Sequence, residues 1–399
     1  MAKQDHYSVV IVGAGSAGIS VAARIVRACK RLKGQVAIID PAAKHYYQPL
    51  WTLVGGGAAR KEESERELSS LIPAGVDWVC DAVTSFQPEQ HTLSTKQGAI
   101  FSYDYLVVAA GLQIDWDGVK GLKDTVGKNG VCSNYAYQTV ESTWENIRNF
   151  KGGTAIFTHP NTPVKCGGAP QKIMYLADDY FRRTNVRNQS AIIFASAKGS
   201  IFDVPKYANT LHNVIRRKNI DTRYKRNLLE IRSNTKEAVF EHLETKEQEV
   251  WKYDMLHVTP PMKAPDFIKD SPLADTAGWV DVDPYTLQHK RFSNIFGIGD
   301  CTNLPTSKTG AAIRKQAPVV EQNLLALIND TSLNAKYDGY TSCPLVTGYN
   351  KLVLAEFDYN LEPCETFPFD QSEERFSMYL MKRNLLPILY WNGMLKGLM

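Results

Sequence analysis

The sequence predicts an α/β protein with two domains of parallel strands and helices, followed by a C-terminal region of different character. The first observation is an apolar run at 7–12 that leads into Gly-x-Gly-x-x-Gly and then a helical stretch through Arg31. The second is a series of alternating strand and helix patterns over 112–277, and the third is a final segment rich in aromatic residues and prolines. Strands that alternate with helices favour a parallel sheet covered by helices.

The glycine turn after the first strand predicts a dinucleotide site. Gly13 permits a tight turn, Gly15 lets the backbone approach a diphosphate, and Gly18 allows the helix to pack closely on the strand. Asp40 ends the next strand and suits an acceptor for a ribose hydroxyl. Together these features favour a Rossmann-like domain over a glycine-rich linker. We expect the cofactor to contact Gly13, Gly15, Ala17, Gly18 and Asp40.

Two later segments indicate which dinucleotide is bound. Residues 103–111 form a buried strand pattern ending in Ala110-Gly111, and residues 292–300 form another ending in Gly-Asp300. Both resemble segments of the glutathione-reductase-like flavoproteins, which have two Rossmann-like domains and in which the second segment supplies an aspartate to the flavin. The resemblance implies FAD. Two ordinary core strands would explain the apolar residues but not the Gly-Asp ending.

A second glycine fingerprint, which relatives that use a nicotinamide carry near mid-chain, is missing here. The strand-like run 154–158 leads into His159-Pro160, and the run 191–195 leads into a segment that also lacks the pattern. Prolines and bulky side chains do not form a turn that lets a diphosphate approach the backbone. We therefore expect NAD(P) not to be the electron donor.

Composition excludes several classes of protein. The chain has 399 residues, 44% of them hydrophobic and 22% charged, as in a globular protein. Its 46 basic and 42 acidic residues are too balanced for a nucleic-acid partner. The seven cysteines form no Cys-x-x-Cys pair, so we expect no metal site and a reducing compartment in which any disulfide is catalytic. We expect no signal or transit segment within this sequence, although one removed beforehand would leave no trace.

These patterns predict four stretches. Residues 1–111 and 278–330 form a discontinuous FAD-binding domain, and residues 112–277 form a second Rossmann-like domain without an NAD fingerprint. Residues 331–399 form the C-terminal region, in which 337–369 is typical of hairpins and the surroundings of Cys343 are loop-like.

Cys166 is the most reactive cysteine that the sequence indicates. It lies just before a helix that Pro170 can open, so the helix N-terminus would stabilise a thiolate there. Lys165 or Lys172 would add positive charge. A lone cysteine is more often a small buried residue. The presence of Cys343 favours a redox role for Cys166 over simple burial, because the fold can bring the two cysteines together.

Four segments resemble the sulfide:quinone oxidoreductases of the mitochondrial type: 45–51, 162–172, 300–309 and 337–349. They span most of the chain. The resemblance implies a redox pair of Cys166 and Cys343 on one face of FAD. Sulfide would attack the oxidised pair, leaving a persulfide on Cys343 and a thiolate on Cys166. Electrons would then pass to the flavin and to ubiquinone, and glutathione or sulfite would accept the outer sulfur.

Further residues follow from the same segments. Gln48 is a candidate cofactor contact, and Lys308 would place positive charge near the flavin's pyrimidine edge unless it is a solvated lysine. Cys301 follows Asp300 directly and is expected in the core without a redox role. Cys132 fits either a spectator thiol, which we favour, or a third cysteine of the kind that some bacterial members use.

The C-terminal segment, residues 376–399, is basic and apolar. No run reaches the roughly 18 apolar residues of a spanning helix. We predict two short interfacial helices, interrupted at Pro387, with apolar side chains toward lipid and lysines toward headgroups. A helix docked on the core is the alternative. Candidate quinone contacts are Phe357, Lys382 and Tyr390, with ordinary packing as the alternative for the rings.

We therefore expect a membrane-surface FAD enzyme that oxidises hydrogen sulfide and reduces ubiquinone, and the resemblance implies the mitochondrial inner membrane. Two alternatives stay open. One is a type II NADH:quinone oxidoreductase, which rapid reduction of the flavin by NADH would favour. The other is a non-enzymatic flavin redox sensor, which would bind FAD without being reduced by either sulfide or NADH.

Overall fold

The structure is a computed structural model that describes residues 5–399. Its strands, in chain order, are β1 His6–Val12, β2 Val36–Ile39, β3 Lys44–Tyr46, β4 Glu65–Glu67, β5 Val76–Val79, β6 Val83–Gln87, β7 Thr92–Thr95, β8 Ile100–Val108, β9 Gln113–Ile114, β10 Val131–Cys132, β11 Gly153–His159, β12 Ser190–Ser196, β13 Asp221–Tyr224, β14 Arg226–Arg232, β15 Glu237–His242, β16 Gln248–Lys252, β17 Met255–His257, β18 Met262–Lys263, β19 Ile295–Gly297, β20 Thr341–Gly348 and β21 Lys351–Phe357.

The α-helices, in the same order, are α1 Ser16–Ala28, α2 Trp51–Gly55, α3 Leu122–Thr125, α4 Val140–Asn149, α5 Ala169–Arg183, α6 Pro205–Lys218, α7 Asp266–Lys269, α8 Gly310–Ile328, α9 Phe376–Leu380 and α10 Leu386–Asn392. Pro170 and Pro205 lie in the first turns of α5 and α6, where a missing backbone N–H costs no helical hydrogen bond.

The first sheet has a parallel core in the order β5-β2-β1-β8, and β19 joins it beside β8. The register places Val12 opposite both Ile39 and Val108, and Val108 opposite Gly297. The residues that follow these strands therefore meet at one edge of the sheet. In this arrangement a strand from the later part of the chain completes a sheet begun near residue 6.

The second sheet is parallel throughout, in the order β10-β17-β11-β12-β13. Buried side chains of α5 and α6 pack on one of its faces, and the antiparallel β14-β15-β16 sheet packs on the other. The predicted stretches 1–111, 112–277, 278–330 and 331–399 stay predictions as domain limits.

The β20–β21 hairpin carries Cys343, which lies opposite Ala355 and is fully buried. The expectation of a loop around Cys343 is therefore wrong. Pro344 follows Cys343 directly, and a two-stranded hairpin accommodates a proline because each strand has an edge that needs no donor. The hairpin packs on α5, which begins three residues after Cys166.

The C-terminal segment forms one helical run through residue 392, in which a π-helical turn at 381–385 joins α9 to α10. The predicted interruption at Pro387 is wrong, because the wider turn accommodates the missing N–H and the ring of the proline. Lys382 is buried, so it does not face headgroups as expected. Large apolar side chains are exposed instead: Phe376, Leu380, Leu385, Ile388 and Leu398. Within residues 5–399, no helix combines the length and apolar character needed to cross a bilayer.

Candidate active site

The glycine turn lies between β1 and α1, and each glycine has a distinct physical reason. Gly13 has φ +102°, and a Cβ there would lie 2.6 Å from the Ala109 carbonyl oxygen. A Cβ on Gly18 would lie 1.9 Å from the Gly13 carbonyl oxygen, so α1 packs directly on the turn. A Cβ on Gly15 would meet nothing within 4 Å. Gly15 thus faces open space, which is what a diphosphate needs beside a helix N-terminus.

Asp40 holds the neighbouring part of the same edge. Its two carboxylate oxygens accept hydrogen bonds from the backbone N–H groups of Ala14 at 2.7 Å and Ala42 at 2.8 Å. Each carboxylate oxygen can accept a second hydrogen bond, so the group keeps capacity for a ribose hydroxyl. Gly111 also faces open space, since a Cβ there would meet nothing within 4 Å. The edge formed by these residues fits a dinucleotide.

Asp300 and Lys308 lie where the later strand reaches this edge. Burial raises the pKa of Asp300, and the charges of Lys308 and Lys165 oppose that rise. The Lys308 ammonium donates to the carbonyl oxygens of Asp300 at 2.7 Å and Thr302 at 2.8 Å. It also lies 4.0 Å from the ring centroid of Trp279. Lys308 is therefore not a solvated lysine, and burial lowers its pKa.

The backbone of Cys166 is held in an unusual conformation. Its φ of +58° lies in the left-handed region, which costs a residue with a side chain about 1–2 kcal/mol. Its N–H donates to the Lys308 carbonyl oxygen at 2.8 Å, and its own carbonyl accepts from the Ala169 N–H at 2.7 Å. The first bond attaches the loop before α5 to the loop before α8, and the second closes the turn that leads into α5. Such strain persists where the surrounding structure determines the geometry, as at functional sites.

Cys166 and Cys343 lie side by side, with their sulfur atoms 3.7 Å apart. A disulfide bond is about 2.05 Å long, so the two sulfur atoms are not bonded and need to approach further to form one. The ammonium of buried Lys172 lies 3.1 Å from the Cys166 sulfur. The hydrogen bond with Cys343, together with the charge of Lys172, holds the pKa of Cys166 well below its usual range.

Cys343 behaves in the opposite way. Its hydrogen bond to Cys166 and its burial hold the pKa of the Cys343 thiol well above its usual range. A single negative charge shared by the pair therefore resides on Cys166. The sequence alone left open whether Lys165 or Lys172 stabilises this thiolate, and the structure places Lys172 on the sulfur because it lies on α5, beyond the glycines that follow Cys166.

Lys382 is a third cation near the pair. Its ammonium donates to the Pro49 carbonyl oxygen at 3.1 Å, and the side chain is the buried one of the π-helical turn at 381–385. Burial and repulsion by Lys172 lower the pKa of Lys382 to about 7, while the charges of Cys166 and Cys343 oppose this shift. Lys382, predicted at a quinone, thus lies within electrostatic range of the cysteines. No sequence pattern indicates that Lys382 lies near the cysteines, because the π-helical turn alters which side of the helix faces inward.

Gln48 and Lys165 link the first sheet's side of the molecule to the cysteine loop. The Lys165 ammonium donates to Gln48 Oε1 at 2.7 Å and to the Tyr135 carbonyl oxygen at 2.8 Å. It lies 4.9 Å from the ring centroid of Trp51, and burial lowers its pKa to about 8. Sequence reasoning missed Trp51 and Tyr135. The segment 45–51, which carried part of the family resemblance, was the only signal for Trp51.

The three candidate quinone residues do not converge. The Phe357 ring packs edge-on against Phe202, with centroids 5.8 Å apart, in the core beside the second sheet. Tyr390 lies in the core of the first sheet's side, with its hydroxyl 2.6 Å from the Ser16 hydroxyl. Lys382 lies near the cysteine pair. The quinone contacts therefore stay a prediction.

The remaining buried cysteines lack the surroundings of Cys166. Burial raises the pKa of Cys132 to about 12 and that of Cys301 to about 11. The Cys301 sulfur lies 3.4 Å from the carbonyl oxygens of Val108 and Ile298. Both therefore remain thiols at neutral pH, which suits core packing.

The family model for pyridine nucleotide-disulphide oxidoreductases matches residues 7–143. The chain is similar to a Mus musculus protein named sulfide:quinone oxidoreductase, mitochondrial, with 52% identity over 397 residues, 99% of this chain and 87% of that protein. A protein of the same name from Dictyostelium discoideum is 50% identical over 391 residues, 98% of this chain and 86% of that protein.

Among solved structures, the sulfide:quinone oxidoreductase of the bacterium Aquifex aeolicus superposes with a TM-score of 0.85. It is 18% identical and covers 99% of this chain and 92% of that chain. At this identity the likeness concerns the fold alone. It confirms the predicted α/β fold with two Rossmann-like domains.

Proposed function

This chain belongs to the sulfide:quinone oxidoreductase family, whose members are FAD-dependent enzymes that oxidise sulfide and reduce quinone, and we propose that it works through a relay between Cys166 and Cys343. The observation that carries the proposal is the 3.7 Å separation of the two sulfur atoms, with a lysine ammonium on one of them. Converting this pair into a disulfide needs an approach of less than 2 Å and the loss of two electrons and the thiol proton, and FAD would accept those electrons when it is bound.

The first step is attack on that disulfide by hydrosulfide. A bond forms between the incoming sulfur and Cys343, the bond between Cys343 and Cys166 breaks, and Cys166 leaves with the electron pair as a thiolate. The sulfur with the lower pKa leaves more readily. Since the Lys172 ammonium lies on the Cys166 sulfur and stabilises its thiolate, the persulfide remains on Cys343.

Cys166 is also the sulfur placed to pass the electron pair on. Its N–H is bonded to the Lys308 carbonyl oxygen, and Lys308 in turn is bonded to Asp300 at the edge of the first sheet. We assign the cofactor to that edge, with contacts from Gly13, Gly15, Ala17, Gly18, Asp40, Gln48, Ala110, Gly111, Asp300 and Lys308. When bound, FAD accepts two electrons from sulfur and delivers them to quinone.

The outer sulfur of the persulfide goes to a small nucleophile, glutathione or sulfite. Both carry negative charge near neutral pH. Lys172 lies on the Cys166 sulfur, and Lys382, whose pKa is lowered to about 7, adds positive charge near the pair while it is protonated. The charge of these lysines favours an anionic acceptor in this pocket.

The C-terminal segment supports a place at a membrane surface. Its exposed apolar side chains, including Leu385 and Ile388, would lie among lipid chains, and ubiquinone would enter from that side. Relatives are named as mitochondrial, so we place the enzyme on the mitochondrial inner membrane.

The two alternatives gain no support. β11 ends at His159, which Pro160 follows, and a glycine turn for a nicotinamide dinucleotide would be expected at that strand end. A stabilised thiolate beside a second cysteine would suit a redox sensor as well, and the sensor is disfavoured because the relatives that are 50–52% identical are named as oxidoreductases.

Anaerobic titration of the purified flavoprotein with sulfide tests the relay. Sulfide should bleach the visible flavin absorbance of the wild type, and NADH should not. Cys343→Ser should bind FAD but lose turnover with a quinone analogue, whereas Cys80→Ser, which changes an exposed cysteine, should keep it. Full turnover in Cys343→Ser would exclude the relay.

A further inference from the structure

The C-terminal segment contacts the glycine turn through Tyr390. Its ring is buried against Tyr47, with centroids 4.6 Å apart. Its hydroxyl lies 2.6 Å from the Ser16 hydroxyl and 2.5 Å from His45 Nε2. Ser16 is the first residue of α1 and follows Gly15, the glycine that faces open space. A residue near the end of the sequence therefore contacts the turn near its beginning.

The hydrogen-bond directions in this cluster follow from His45. His45 Nδ1 lies 3.1 Å from the Ala14 carbonyl oxygen, which can only accept, so Nδ1 carries the proton. Burial lowers the pKa of His45 to about 4, so the ring is neutral and Nε2 is an acceptor. The Tyr390 hydroxyl therefore donates to His45 Nε2. Its oxygen is left to accept from the Ser16 hydroxyl.

These bonds hold the turn on both sides of Gly15. His45 fixes the carbonyl of Ala14, and Tyr390 fixes the side chain of Ser16. A free serine at this position can bond to nearby backbone groups and compete with the helical conformation. With its hydroxyl engaged, the first N–H groups of α1 stay directed at the space where a diphosphate binds.

The end of the C-terminal segment is attached to the same helix. Arg24 of α1 donates from Nη1 to the Met399 carbonyl oxygen at 2.6 Å and from Nε to Glu321 at 2.5 Å. Gly397 has φ +64°, and a Cβ there would lie 2.8 Å from the Arg24 backbone nitrogen. The segment therefore lies directly on α1, which keeps Tyr390 in position.

We propose that Tyr390 is a positioning residue of the FAD site, which makes retention of FAD depend on the C-terminal segment. Tyr390 acts through Ser16 and His45 by holding the turn that receives the diphosphate. This role is separate from the sulfur relay, since none of these residues contacts Cys166 or Cys343 among the hydrogen bonds described for residues 5–399.

Release of FAD from the holoenzyme tests the proposal. Tyr390→Phe keeps the ring and removes the hydroxyl, leaving His45 Nε2 and Ser16 without their partner. After dilution, the fluorescence of released FAD should rise about tenfold faster than in the wild type, the size expected for one lost buried hydrogen bond. Tyr379→Phe is the matched control, because Tyr379 is equally buried in the same segment but lies near Arg183 and Arg383. Equal release rates in wild type and Tyr390→Phe would overturn the proposal.

A second variant separates positioning from general stability. Ser16→Ala should also release FAD faster, and the double variant should release it no faster than the more affected single variant, because both changes break the same contact. If Tyr390→Phe does not fold, the test rests on the rate at which Ser16→Ala releases FAD. A rate equal to that of the wild type overturns the proposal. Additive effects in the double variant would likewise overturn it.

Discussion

The placement of Lys172 on the Cys166 sulfur predicts that this lysine is the main positive charge stabilising the thiolate. We expect Lys172→Met to raise the pKa of Cys166, because the variant loses a positive charge 3.1 Å from the sulfur. Two unit charges at this distance interact by about 5 kcal/mol at an effective dielectric constant of about 20. Desolvation of the ammonium and the remaining charge of Lys382 offset part of this energy, so we expect a net effect of about 2–3 kcal/mol.

The assay is alkylation of reduced protein by iodoacetamide at a series of pH values, with the Cys166 peptide measured by mass spectrometry. The thiolate is the reacting species, so the midpoint of the rate profile reports its formation. The energy above corresponds to a midpoint displaced upward by about two pH units.

Lys165→Met provides the matched control. Lys165 precedes Cys166 in sequence, yet its ammonium is bound to Gln48 and the Tyr135 carbonyl. Its removal should displace the midpoint much less. An unchanged midpoint in Lys172→Met, or an equal displacement in both variants, would refute the electrostatic reasoning.

Three further predictions concern the cofactor turn, the buried lysine and the apolar surface. Gly15→Ala should fold normally, because its Cβ would meet no protein atom, but it should bind FAD weakly, because that Cβ would occupy the open space beside the turn. Gly18→Ala should lower the melting temperature as well, since its Cβ would lie 1.9 Å from the Gly13 carbonyl oxygen. Equal melting temperatures of the two variants would contradict this prediction. Lys382→Met should raise the melting temperature more at about pH 6 than at about pH 10. The pKa of Lys382 is lowered to about 7 in the folded protein, so below that pH the lysine is charged in both the folded and the unfolded protein and its burial costs stability. This cost disappears as the pH rises toward the pKa of the lysine in the unfolded chain. A larger gain at high pH would reverse the sign of this argument. The double variant Leu385→Glu, Ile388→Glu should co-float less with vesicles of phosphatidylcholine and an anionic lipid. The control Ile100→Glu changes an exposed apolar residue on β8, 62% exposed, and should not reduce flotation. Equal flotation of all variants would argue against the C-terminal segment as the lipid contact.

The elements defined by local sequence were predictable. The glycine turn and Asp40 follow directly from strand, turn and helix patterns, because their geometry depends on neighbours close in sequence. Pro170 indicated the start of the helix after Cys166 for the same reason. The fold class followed from the same alternating patterns.

The residues that depend on packing were not predictable in the same way. Lys165 and Lys172 both lie close to Cys166 in sequence, and only the direction of α5 decides which one reaches its sulfur. Lys382 was expected to face lipid headgroups because its neighbours are apolar, but the π-helical turn brings it beneath the surface. Tyr390 was assigned to a quinone on its aromatic character alone, and its hydroxyl contacts involve residues 345 and 374 positions away.

The contact between Ser16 and Tyr390 also bears on when the protein becomes able to hold its cofactor. A chain made from its N-terminus exposes the glycine turn early, while Tyr390 emerges 374 positions later. Contacts of such long sequence separation form late in folding, because closing the intervening loop costs entropy first. The first sheet itself waits for β19. With Tyr390 in its proposed role, secure capture of FAD would be a late event in the maturation of this chain, and a nascent chain paused before residue 390 would present the turn without its final support.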